Sequence, residues 1–175
     1  IFEKTEHGWV WAHAYQFDAD TATFIVEMSQ ATWDAWGFAD LSKEDTVATC
    51  QRIFAGHLGG HDLMSNAAHL RGSAVWMNFP RVICETWFHK NIVLMGDAAA
   101  TGHFSIGSGT RLALDSAIAL ADYLQSEPRM EAAFQRYQDE RRVEVLRLQS
   151  AARNSLEWFE EVERYGPAMA IVRRE

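Results

Sequence analysis

The sequence predicts a mixed α/β fold of the α+β kind, in which antiparallel strands come first, then a strand–loop–helix passage, then a long C-terminal helix. Three observations carry this. Residues 9–17 and 23–28 are rich in aromatic and β-branched types and are separated by Asp18, Ala19, Asp20 and Thr21, the pattern of an antiparallel hairpin. Residues 91–124, NIVLMGDAAATGHFSIGSGTRLALDSAIALADYL, join an unbroken apolar run, an Asp, a Gly-rich loop and the start of a helical pattern. Val145, Leu148, Ala152, Leu156 and Phe159 fall on one side of a helix that Pro128 can begin.

The elements follow in order. After the hairpin, residues 33–40 read as irregular. Ser42, with Asp45 three residues on, matches an N-terminal cap for a helix running through Ile53, Phe54 and Leu58, and Gly59 with Gly60 stops it. Residues 74–78 and 82–88 read as further strands, with Pro80 bordering their connection. Ile92, Val93, Leu94 and Met95 are apolar without a break, as in a strand covered on both faces. Gly96 ends that strand. The helix after the Gly-rich loop shows Ala113, Ala117, Leu120, Ala121 and Leu124 at helical spacing.

Composition bounds the function. With 175 residues, 48% of them hydrophobic and 12% aromatic, the chain can build one domain with a substantial core, or parts of two. A net charge of −8 disfavours nonspecific nucleic-acid binding, because phosphate repels such a surface. No apolar run reaches the length of a membrane span, and Ile1 opens no signal peptide, so no membrane partner is expected and the cytoplasm is the expected location. Cys50 and Cys84 form no paired metal spacing and read as reduced, buried thiols rather than a disulfide. His57 and His61 have the i, i+4 spacing of a metal pair, but Gly59 and Gly60 break the helix that such a pair requires; no metal is expected.

The 91–124 passage is where the chemistry concentrates. Asp97, just past the C-terminal edge of a strand, is placed to accept hydrogen bonds from a sugar hydroxyl pair. Gly107 and Gly109 flank Ser108 ahead of a helix, so unpaired helix amides are presented by a loop without bulky side chains, a setting for an electron-rich group. A phosphate loop of the Walker type would need a Lys followed by Ser or Thr, whereas Thr110 and Arg111 follow Gly109. The dinucleotide fingerprint would need a third Gly where Leu112 stands. A Gly-rich turn that merely caps a helix is the bland alternative.

The segment GDAAATGHFSIGSGTRLALDSAIALADYL resembles the second FAD-contacting motif of the flavoprotein aromatic hydroxylases, the single-component FAD-dependent monooxygenases. The stretches KTEHGWVWAHAYQFD, TATFIVEMS, CQRIFAGHLGGHDLMSN and HLRGSAVWMNFPRV extend the likeness over about residues 1–165, and are similar to the subgroup that hydroxylates aromatic CoA thioesters, with salicyloyl-CoA hydroxylase and aminobenzoyl-CoA monooxygenase/reductase as members. Ala100 and Gly102 depart from the pattern, many relatives having His at the former, and the ending GPAMAIVRRE is unlike the family's continuation.

The resemblance implies an FAD-dependent aromatic monooxygenase, reduced by NADH or NADPH, that transfers oxygen from dioxygen to an aromatic ring through a flavin hydroperoxide. Gly96 and Asp97 would hold the cofactor chain, and Gly107, Ser108, Gly109 and Thr110 would bring backbone amides to the pyrimidine edge of the flavin, where the reduced form carries negative charge. Trp11, His13 and Tyr15, by alternation on the hairpin, and His103 and Phe104, in the flavin loop, are substrate candidates, with ordinary sheet or loop packing as the alternative for each. Arg71, Arg81 and Arg111 are candidates for CoA phosphates or reduced flavin, against surface ion pairs. No catalytic acid or base can be assigned.

The organisation implied is residues 1–90 as part of a substrate-binding sheet, 91–125 as a returning FAD-binding segment and 126–175 as a helical region. The family's N-terminal half, with its GxGxxG loop, has no counterpart, so the chain reads as a C-terminal portion that is inactive alone; a complementing N-terminal half or a second copy are the protein partners this leaves open. The aromatic substrate is expected to be a CoA thioester. Hydroxylation of a free phenolic acid and a noncatalytic interaction module are the alternatives.

Overall fold

The computed structural model describes residues 1–65, 76–104 and 107–165. They fall into two compact units, one made of Ile1–Met77 together with the described residues from Val162 on, the other of Asn78–Glu161. Strands and helices are mixed, as the sequence predicts.

The first unit is a three-stranded antiparallel sheet with short helices. Strands β1 (Phe2–Thr5), β2 (Gly8–Gln16) and β3 (Ala22–Met28) pair in the order β1-β2-β3, with Trp11 opposite Phe2 on one side and Glu27 on the other. The predicted hairpin is therefore present to within one residue at each end, and β1 extends it. Alternation sends Val10 and Ala12 to one face, where they are buried with Phe54 and packed by Phe24, Val26, Met28, Ile53 and Leu58. Gly8, at φ 128°, turns β1 into β2 where an added Cβ would lie 2.4 Å from Thr32 Oγ1, so only glycine fits.

Helix α1 (Gln30–Ala35) occupies part of the stretch expected to be irregular. Ser29 caps it by accepting from the Thr32 amide at 3.2 Å, a local signal masked by the clustered tryptophans. Helix α2 (Lys43–Ile53) begins as predicted, with Ser42 Oγ accepting from the Asp45 amide at 3.0 Å. Helix α3 (Ala55–Leu58) continues it and ends at Gly59 in the left-handed region, φ 60°.

In the second unit a short hairpin, β4 (Phe88–His89) and β5 (Ile92–Val93), leads to a 3-10 turn at Gly96–Ala98, then helices α4 (Gly109–Ser126) and α5 (Met130–Glu160). Trp87, Ala99, Ala100, Tyr137 and Val145 form its core, with Cys84, Val93, Leu94, Leu112, Leu120 and Tyr123 packed against it. The predicted apolar stripe on α5 is borne out at Val145 and Ala152, both buried.

Two strand expectations are corrected. Of residues 82–88, only an Ile83–Ala100 bridge and Phe88 are in β pairing, because the segment is held instead by side chains of α5. Of residues 74–78, the first two lie outside the described residues, and 76–78 form no strand. The run Ile92–Met95 is not covered on both faces: Ile92 is 64% and Met95 41% exposed. Among the described residues the run pairs with a partner only two residues long, and its middle residues Val93 and Leu94 pack on the core while its ends do not.

Candidate functional site

The backbone around Asp97 is tightly held. Tyr137 donates to the Leu94 carbonyl at 3.2 Å, and burial pushes this phenol above its ordinary pKa. Gly96 then adopts φ 58°, and the amides of Ala99 and Ala100 donate back to its carbonyl at 3.0 and 3.1 Å. Downstream, the Cys84 amide donates to Ala99 O at 3.0 Å, and Gln149 Nε2 donates to Thr101 O at 2.6 Å. Ala99 and Ala100 are buried while Asp97 is exposed, so a backbone turn held by hydrogen bonds presents Asp97 to the outside. The buried position of Ala100 also gives the departure there a packing basis, since its methyl sits in the core.

The same turn packs on α4. A Cβ added at Gly96 would lie 3.3 Å from Ala113 Cβ, which brings the Asp97 turn against the second turn of that helix. Upstream of the helix, Gly107 takes φ 60° and its amide donates to Phe104 O at 2.8 Å. Ser108 stands at the N-cap, yet its hydroxyl makes no capping bond to α4. Helix amides of the first turn have no acceptor within their own helix, so these point outward together with the positive end of the helix dipole. Among the described residues, no atom beyond the chain neighbours and the helix's own backbone lies within 4 Å of a Cβ built at Gly107 or Gly109. Open backbone, an uncapped helix start and an adjoining exposed carboxylate fit a ligand with a sugar-like chain and an electron-rich end. FAD has both, and Gly96, Asp97, Gly107, Ser108, Gly109 and Thr110 are the residues that could hold it.

His103 and Phe104 stack with ring centroids 4.6 Å apart, and Phe104 meets Phe79 edge-on at 5.4 Å. Arg111 is 3.6 Å from Asp115 on the exposed side of α4, and Arg81 donates to Gln149 Oε1 at 3.3 Å. Both arginines thus have protein partners, whereas Arg71 lies outside the described residues. His57 pairs with Glu3, and among the described residues no group of three His, Cys, Asp or Glu could hold a metal ion. Among the same residues, no helix is long and apolar enough to cross a membrane.

The other candidates belong to the first unit. Trp11, His13 and Tyr15 lie on the sheet face that alternates with Val10 and Ala12, Trp11 buried at 3% exposure and Tyr15 open at 57%. His13 Nε2 is 3.1 Å from Glu27 Oε1. Glu27 is not singled out by the sequence. Its signal is the strand register, which places it beside His13 only after the hairpin loop has been fixed.

No family model matches the chain. It is 41% identical over 159 residues to 3-hydroxy-4-methyl-anthranilyl-[aryl-carrier protein] 5-monooxygenase of Streptosporangium sibiricum, covering 91% of this chain and 40% of that protein. It is 38% identical over 174 residues to salicyloyl-CoA 5-hydroxylase of a Streptomyces species, covering 94% and 32%. Protodeoxyviolaceinate monooxygenase of Chromobacterium violaceum matches at 35% over 152 residues, covering 87% and 39%. The chain therefore spans 32–40% of the length of these curated relatives.

Among solved structures, PqsL of Pseudomonas aeruginosa, a probable FAD-dependent monooxygenase, superposes with a TM-score of 0.58 at 20% identity, covering 97% of this chain and 46% of that one. The same protein in complex with 2-aminobenzoylacetate gives 0.59 at 23%, covering 92% and 44%. These structures match the fold.

Proposed function

We propose that this chain, homologous over most of its length to FAD-dependent aromatic monooxygenases, supplies flavin-holding and substrate-holding residues to an enzyme that hydroxylates an aromatic ring. The observation that carries the reading is the uncapped start of α4, with open backbone at Gly107 and Gly109, in a chain 41% identical to such an enzyme over 159 residues.

Bound FAD would supply dioxygen activation, using electrons taken from NADH or NADPH. The chain's own groups do the rest. Asp97 accepts hydrogen bonds from hydroxyls of the cofactor chain, and the hydrogen-bonded Gly96 turn holds the backbone from which its carboxylate projects. Amides of Gly107, Ser108, Gly109 and Thr110 meet the pyrimidine edge, where oriented donors and the helix dipole stabilise negative charge. His103 and Phe104, in the same unit as the flavin segment, are proposed to orient the ring and exclude water there, and the hairpin face of Trp11, His13 and Tyr15 is proposed separately as a substrate-holding surface.

The substrate class is an aromatic acyl thioester. The relatives' names support this, one acting on a CoA thioester and another on a carrier-protein-bound anthranilyl group. The proposed setting is the cytoplasm, with a homodimer or a complementing N-terminal half as protein partner. Asp97→Ala tests the cofactor assignment in the FAD-binding protein. FAD affinity should fall about tenfold, the scale of one lost hydrogen bond between a hydroxyl and a carboxylate. Unchanged affinity would remove Asp97 from the site.

A further inference from the structure

Helix α5 carries polar side chains where its buried stripe would otherwise be apolar. Tyr137, Arg141, Val145 and Gln149 recur at every fourth residue, so they share one face of the helix. Tyr137 is fully buried, and Val145 and Gln149 nearly so. Packing alone calls for neither polar group: the Tyr137 ring meets Trp87 at 5.7 Å between centroids, which a Phe would do as well, and a Leu would fill the place of Gln149. A buried hydroxyl or amide costs stability unless it is hydrogen-bonded, so its partner shows what it serves. The Tyr137 hydroxyl donates to the Leu94 carbonyl at 3.2 Å, and Gln149 Nε2 donates to the Thr101 carbonyl at 2.6 Å. These two carbonyls bracket Asp97 in the chain, and between them the amides of Ala99 and Ala100 close the turn on Gly96 O. From the same stripe Arg141 Nε donates to Ser116 Oγ on α4 at 3.4 Å. One face of α5 thus holds both the Asp97 turn and the helix whose start is proposed to meet the flavin.

We propose that Tyr137 and Gln149 are positioning residues for the cofactor: by holding the Leu94 and Thr101 carbonyls, they set the backbone from which Asp97 reaches the hydroxyls of the cofactor chain. Neither residue touches a ligand. Strand β5 ends at Val93, so the Leu94 carbonyl, one residue beyond it, takes its hydrogen bond from a helix side chain instead of a sheet. Loss of either grip lets the flank of the turn relax, and the Asp97 carboxylate then spends less time where the cofactor chain meets it. The effect on binding passes through that carboxylate and vanishes with it. The inference rests on the flavin assignment made above and adds to it two residues of α5.

Fluorescence titration of FAD into the FAD-binding protein reads this as a double-mutant cycle. Asp97→Ala should weaken binding about tenfold, and Tyr137→Phe, which keeps the ring, about threefold. In the Asp97→Ala background Tyr137→Phe should weaken FAD binding no further. Thermal melting separates this from plain stability, since Tyr137→Phe should lower Tm equally in both backgrounds, as the loss of a buried hydrogen bond does. A double variant about thirtyfold weaker than wild type, the product of independent effects, overturns the positioning role, and so does unchanged FAD affinity in Tyr137→Phe. If Asp97→Ala itself leaves FAD affinity intact, the flavin assignment fails and this inference with it. Gln149→Leu in the same cycle reads the downstream flank and should likewise be silent once the Asp97 carboxylate is gone. An additive result there overturns the role of Gln149, and this second cycle decides the matter if Tyr137→Phe does not fold.

Discussion

Gly96→Ala and Gly109→Ala should have opposite effects, because the two glycines are glycine for different reasons. At Gly96 the reason is internal to the fold. Its φ of 58° lies in the left-handed region, which costs an L-residue about 1–2 kcal/mol, and the new methyl would stand 3.3 Å from Ala113 Cβ, which must give by a few tenths of an ångström. For a protein of this size each kcal/mol moves Tm by about 2–4 °C, so the loss should be about 2–8 °C. At Gly109 no atom of the described residues, chain neighbours and the helix's own backbone aside, lies within 4 Å of the added carbon, and the residue opens α4. Alanine there should leave Tm unchanged or raise it slightly, since it removes unfolded-state freedom without strain. The same methyl, however, fills the space through which a flavin would approach the helix amides. Circular-dichroism melting paired with FAD fluorescence titration separates the two effects. Gly109→Ala should melt as the wild type does and bind FAD more weakly. A Tm loss equal to that of Gly96→Ala would refute the open-backbone argument, and unchanged FAD binding would refute the close approach.

Other expectations follow from buried polar groups. Gln149, 5% exposed, donates to Thr101 O at 2.6 Å and to Val82 O at 3.4 Å while accepting from Arg81. Gln149→Leu strips partners from two carbonyls in a part-buried setting and should cost about 1–3 kcal/mol, read as a lower urea midpoint. Burial pushes the Cys50 thiol from 9.0 up to about 11. The fold therefore favours the protonated thiol: this contribution is full below pH 9.0 and is lost as pH rises through about 11. Cys50→Ala should flatten the alkaline fall of stability across that window, and a thiol reagent at pH 8 should label the half-buried Cys84 before Cys50.

Where a residue's neighbours in sequence decide its structure, the sequence was sufficient. The hairpin follows from alternation, the start of α2 from Ser42 and Asp45, its end from Gly59, and the start of α4 from the Gly107–Gly109 loop. Misses arise where distant groups decide. Residues 82–88 carry strand-like composition, but Gln138 takes the Trp87 amide at 2.7 Å and Gln149 reaches the Val82 carbonyl, so α5 supplies partners that a sheet would otherwise provide. The run Ile92–Met95 looked covered on both faces because hydrophobicity reports only a tendency to be buried, whereas coverage depends on what pairs with the strand. At the candidate site, the Gly and Asp positions announce themselves through backbone chemistry. Tyr137 and Gln149 do not, since only the packing of α5 brings them to the Leu94 and Thr101 carbonyls.

The central claim is that the Asp97 turn and the α4 N-terminus hold a flavin. The visible spectrum of the purified protein after addition of FAD, for this chain and for a form extended upstream to the length of its relatives, tests it directly. A shifted, protein-bound flavin spectrum in the extended form, weakened by Asp97→Ala, is the predicted result. Flavin that remains free in both forms would contradict the account and leave a folded interaction module as the reading to pursue.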